Sequence, residues 1–105
     1  MIDNLKLASK KIVAYISNIV YEDPERIKLK RGFEHSSPYI DYDIDVNQKV
    51  FIEIRLAIQY DIIKIISVTY AKLPVYILEK DRDILLTAMK KKYGRNLLKG
   101  LDKLC

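Results

Sequence analysis

The sequence predicts an α+β domain in the order N-terminal helix, three-stranded antiparallel sheet, helix, fourth strand and C-terminal helices. Three observations carry that prediction. Residues 38–56, PYIDYDIDVNQKVFIEIRL, alternate apolar and polar side chains with a period of two on both sides of a short polar turn, the pattern of a half-buried hairpin. Residues 3–21 place Leu5, Ala8, Ile12, Tyr15, Ile16 and Ile19 at helical spacing. Pro74 closes the element before it and hands over to an apolar run. A chain of 105 residues, half of them apolar, is long enough for one core and too short for two, so a single domain over 1–105 is expected.

Each element has a local cause. Asp3 or Asn4 caps the first helix. It stops at Glu22-Asp23-Pro24, because a proline pushes the residue before it out of the helical region. Arg26 to Phe33 alternates, with Ile27 and Leu29 inward and Lys28 and Lys30 outward; it reads as the first strand, with Gly32 as a bulge or turn. His35-Ser36-Ser37-Pro38 is a loop. The second strand sets Ile40, Tyr42, Ile44 and Val46 against Asp41, Asp43 and Asp45. After a turn at Asn47-Gln48, the third sets Ile52, Ile54, Leu56 and Ile58 against Glu53, Arg55, Ala57 and Gln59.

Residues 61–73 admit two readings. Their β-branched composition suits a strand, yet isoleucines fall on both parities. Ile62, Ile66, Thr69 and Leu73 form one helical stripe, so a helix that closes before Pro74 and leads into a buried strand, Val75 to Leu78, is preferred. The alternative is a longer antiparallel meander. Residues 81–92 form a helix opened by Asp81 or Asp83 and closed by Gly94, with Leu97 to Leu104 as a short final helix.

Composition narrows the function. No stretch of about 18 apolar residues is free of charges, so no membrane span is expected. The N-terminus has no cleavage site and reads as a helix. The single cysteine, Cys105, allows no internal disulfide, which points to a reducing, cytoplasmic setting. One histidine, His35, and one terminal cysteine do not assemble a zinc site, and no glycine-rich phosphate loop is present. The bias to Ile, Lys and Tyr is one found in some thermophile proteins and AT-rich genomes. The net charge of +5 is uneven: residues 38–79 hold four Lys/Arg against six Asp/Glu, whereas residues 80–105 hold eight against three. Lys90, Lys91, Lys92 and Arg95 are therefore either phosphate contacts for nucleic acid or a solvated helix end where cations suit the dipole.

The run IDYDIDVNQKVFIEIR places Asp41 twelve residues before Glu53, with Arg55 two further on. In that spacing, and in the helix, strand, strand, strand, helix, strand, helix order, the chain resembles the PD-(D/E)xK, or restriction-endonuclease-like, superfamily, and is distantly similar to archaeal Holliday-junction resolvases. The resemblance implies a Mg²⁺- or Mn²⁺-dependent nuclease acting on or binding nucleic acid. Asp41 and Glu53 would be the metal ligands and Arg55 would hold phosphate. The chain departs from the family in three respects: the proline lies three residues before Asp41, arginine, which cannot give up a proton, replaces lysine, and no helical glutamate matches the one many members carry, Glu22 and Glu25 lying at the wrong end. A working enzyme and a non-catalytic relative both stay open. The alternative function is a non-enzymatic homodimeric interaction or assembly module. In it Asp41, Asp43, Asp45, Glu53 and Arg55 form a solvated face joined by cross-strand ion pairs.

Overall fold

Four consecutive segments alternate, and they set the architecture. The computed structural model describes residues 9–22, 24–34, 37–94 and 97. A helix, α1 (Ser9–Glu22), leads through a 3₁₀ turn (Pro24–Arg26) into five strands: β1 (Ile27–Glu34), β2 (Ser37–Asn47), β3 (Val50–Gln59), β4 (Ile62–Tyr70) and the two-residue β5 (Leu73–Pro74). A second helix, α2 (Glu79–Tyr93), follows. The sheet is an antiparallel meander in the order β1-β2-β3-β4-β5. The expected fold class is thereby corrected. The sheet has five strands, not three, and no helix interrupts it, so the nuclease-like core order is absent.

The correction falls on residues 61–73, which form β4 and not a helix. Two two-residue turns make this possible. Tyr60 and Asp61, then Ala71 and Lys72, all have positive φ, the backbone that matches a tight turn to the twist of the strands it joins. The pairing also shifts register between Arg55 and Leu56, so that Arg55 faces Ser67 while Leu56 faces Ile65. The extra residue, Ile66, reverses parity: Ile63 and Ile65 are buried before it, Val68 after it. This bulge is why the isoleucines fall on both parities. The expected strand at 75–78 is extended and alternately buried at Val75 and Ile77, but it is not a full sheet strand; only the Val75 N–H reaches it, donating to the Val68 carbonyl at 2.8 Å.

One face of the sheet carries the core. Ile40, Tyr42, Ile44, Ile52, Ile54 and Leu56 are buried against Ile12, Val13, Ile16 and Ile19 of α1 and Leu85, Leu86 and Met89 of α2. Tyr15, expected in the stripe, is exposed. The helices are tied at their starts. The Ser9 hydroxyl donates to the buried Asp81 carboxylate and accepts the Leu78 N–H at 3.1 Å, so Asp81 does not cap its own helix. Gly94 closes α2 at φ 53°, as expected. Leu97 is buried, while the rest of the expected final helix lies outside the described residues, as do the N-terminal eight.

Among the described residues, no helix lies on the opposite face of the sheet. Its shape depends on Gly32, which lies within β1 and is neither bulge nor turn. Gly32 pairs with Tyr39, whose ring lies across it; a Cβ there would meet Tyr39 Cζ at 2.6 Å. The Tyr39 ring is itself held under the Arg55 guanidinium, 3.9 Å from its centroid. Gly32→Ala is expected to lower stability by about 1–3 kcal/mol through overpacking. Combining it with Tyr39→Ala recovers part of that loss, a non-additivity measurable by urea denaturation of the two single variants and the double.

Candidate functional site

The open face is built by register. Lys28 and Lys30 of β1 stand opposite Asp43 and Asp41 of β2, which stand opposite Glu53 and Arg55 of β3. Ser67 and Thr69 of β4 complete the rows. Pro38 fixes the phase. It has no N–H, so its pair with Phe33 is a non-hydrogen-bonded one, and alternation makes Lys30–Asp41 a hydrogen-bonded pair. Asp41–Arg55 on the other side of β2 is then of the closer, non-hydrogen-bonded kind, where side chains meet most readily.

They do meet. Arg55 Nε donates to Asp41 Oδ1 at 2.8 Å and Nη2 to Oδ2 at 3.0 Å. Both carboxylate oxygens are taken in a fork, and Asp41 is only 4% exposed. The bond to Asp41 holds the Arg55 guanidinium above its usual range. Around this pair lie weaker contacts: Lys30 Nζ to Asp43 Oδ2 at 3.2 Å and Arg55 Nη2 to Glu53 Oε1 at 3.9 Å. The hydrogen bond to Asp43 raises the Lys30 pKa. Burial, followed by the Asp41 and Asp43 charges, raises the Glu53 carboxyl, with Arg55 and Lys30 opposing. Asp45 stands apart from the lattice: one of its oxygens is buried with no hydrogen-bond partner among the described residues.

The structure therefore brings Asp41, Glu53 and Arg55 to one face, as the spacing implies, but joins them differently. Glu53 is opposite Asp43, and Asp41 is opposite Arg55. A divalent ion needs carboxylate oxygens free to turn toward it, and the guanidinium fork occupies both oxygens of Asp41. The donor set does not fit Mg²⁺ or Mn²⁺, and among the described residues no group of three acidic, histidine or cysteine side chains is placed to hold a metal. Lys90, Lys91 and Lys92 are exposed in the last turn of α2, on the helical side, so the sheet lies between them and the carboxylates. Arg95 and His35 lie outside the described residues.

Tyr39 and Gly32, which seat Arg55, went unmarked in the sequence as parts of this site. The available signal was the shared period of three strands, with Lys28 and Lys30 in phase with Asp43 and Asp41. No helix among the described residues is long and apolar enough to cross a membrane. No protein-family model matches the chain, and neither a curated protein nor a solved structure matches it.

Arg55→Ala leaves a buried carboxylate unpaired and is expected to cost about 2–4 kcal/mol in chemical denaturation. Arg55→Lys recovers less than half, because an ammonium cannot make the fork. Glu53 has the opposite sign. A carboxyl raised by the fold contributes stability that is complete below its unfolded value, near pH 4, and lost as pH rises through the folded one. Glu53→Gln is therefore expected to be at least as stable as the wild type at pH 7 and to lose that advantage below about pH 4, read from melting temperature against pH.

Proposed function

We propose that this domain is a non-enzymatic protein-interaction module that uses the sheet and its free edge, with the charged lattice holding the surface rigid. One observation carries the reading: the Asp41 carboxylate, the residue a phosphodiesterase would use to hold its metal, is closed in a two-point fork by Arg55. A group so paired serves register and surface shape, and no other described side chain takes over its chemistry. In a titration with Mn²⁺, the melting temperature is expected to stay constant, and linear and branched DNA to stay uncut. A metal-dependent rise in melting temperature, or cleavage, that disappears in Glu53→Gln overturns the reading.

A second reading, contact with nucleic acid, rests on the exposed cluster Lys90, Lys91 and Lys92. It predicts binding of a labelled duplex that weakens steeply from about 50 to 200 mM salt and drops when the three lysines are changed to glutamine. Binding that is absent, or flat with salt, leaves the lysines as a solvated helix end.

A further inference from the structure

We propose that the free edge of β1 is a docking site for an extended protein segment that alternates acidic and apolar residues, added as a sixth strand antiparallel to β1. The inference rests on the interaction-module reading above and names its surface and the chemistry of its partner.

The edge is defined by the same phase that builds the charged face. Phe33–Pro38 is a non-hydrogen-bonded pair, so Ile27, Leu29, Arg31 and Phe33 all turn their backbone N–H and C=O away from β2. Among the described residues no strand pairs with that side of β1. An eight-residue edge with its donors and acceptors in a row is a template for another strand.

The side chains select what that strand is. Leu29 and Phe33 lie on the helical side of the sheet, yet are 52% and 56% exposed: the apolar layer runs one strand further than the helices cover. Lys28 and Lys30 lie on the open side and are exposed, Lys30 despite the contact to Asp43. A segment laid along this edge meets Leu29 and Phe33, with the exposed Arg31 between them, on one side and two lysines on the other. β2 answers that same pattern from within the chain. Its Ile40, Tyr42 and Ile44 take the apolar side, while Asp41 and Asp43 face Lys30 and Lys28. A side chain on a strand is shared between both flanks, so the free flank asks for the chemistry the paired flank already has.

A second copy of this chain is a poor occupant through β1 itself. Antiparallel self-pairing centred on residue 29, 30 or 31 sets Lys28 against Lys30, Lys30 against Lys30, or Arg31 against Arg31, and like charges directly opposite destabilise a sheet.

The test uses the full chain and a synthetic peptide of the β2 sequence, SPYIDYDIDVN, blocked at both ends. Its counterpart is SPYIKYKIKVN, with lysine in place of each aspartate. The acidic peptide is expected to bind on the order of tenfold tighter than the basic one, a gap that narrows with salt. Amide hydrogen exchange gives the location. In the free protein the Lys28 and Lys30 amides are protected and the Leu29 and Arg31 amides exchange fast; the acidic peptide slows the latter two. Leu29→Pro removes one outward N–H without breaking a β1–β2 bond and abolishes binding. Lys28→Gln with Lys30→Gln weakens it, giving a second variant should the proline disturb the fold, as checked by circular dichroism.

Absence of binding at millimolar peptide, protection appearing elsewhere than at residues 29 and 31, or a free protein already dimeric with those amides protected overturns the docking site. Loss of the docking site with DNA left uncut and no metal response sinks this inference alone. Metal-dependent cleavage sinks the module reading whatever the peptide does.

Discussion

The register of β2 against its two neighbours is the constraint from which the rest of the sheet follows. With a period of two, a slip of one residue would carry Asp41 and Asp43 into the core and Tyr42 and Ile44 into water. Several features bar that slip. Pro38 can sit only where no ladder bond is asked of it, opposite Phe33. Tyr39 needs a glycine across from it, and Gly32 is there. Asp41 needs a fork of donors, which Arg55 supplies. The Asp41–Arg55 pair is more convincing as a device of specificity than as a source of net stability, because removing two charges from water offsets much of what their attraction returns.

That arrangement also decides what the open face can do. A carboxylate serves as a metal ligand or general base through its lone pairs, and each oxygen of Asp41 already accepts a bond from the Arg55 guanidinium. Glu53 is the freer carboxylate; burial, then the Asp41 and Asp43 charges, leave it raised in pKa, with Asp43 directly across from it. The cations of the α2 terminus are on the far side of the sheet. Among the described residues, Lys90, Lys91 and Lys92 therefore do not extend the charged face of the sheet.

Much of this was legible from alternation alone. β1, β2 and β3, the α1 stripe at Ile12, Ile16 and Ile19, and the end of α2 at Gly94 lie where period and capping residues place them, while the β2–β3 turn falls one residue later than expected, on Gln48 and Lys49. β4 was legible only as the alternative to a helix, for two physical reasons. A strand bulge at Ile66 changes the parity of its apolar residues halfway along, so neither parity is consistent. The turns around it use Tyr60, Asp61, Ala71 and Lys72 at positive φ, of which only Asp61 suits that backbone, so no glycine or asparagine announced them. For the site, the sequence placed Asp41, Glu53 and Arg55 on one face but not who pairs with whom. Spacing along a strand fixes a face; the partner across it is fixed by the loop lengths and by Pro38, and these emerge only when the strands are laid together.

The two edges of the sheet are treated differently, and that difference is the last step of the argument. β4 is protected by the chain itself: β5 pairs with its end, the Val75 N–H takes the Val68 carbonyl, and the Arg82 guanidinium reaches the Ile65 carbonyl at 3.5 Å. Among the described residues β1 has no such cover. It relies on charge, since Arg31, Lys28 and Lys30 line it. Covering an edge excludes every strand alike. Charging it disfavours only strands of the same sign, which is the basis on which an acidic segment is proposed as the partner of β1. Charge on a strand edge thus bears on self-pairing and on partner chemistry through the same side chains.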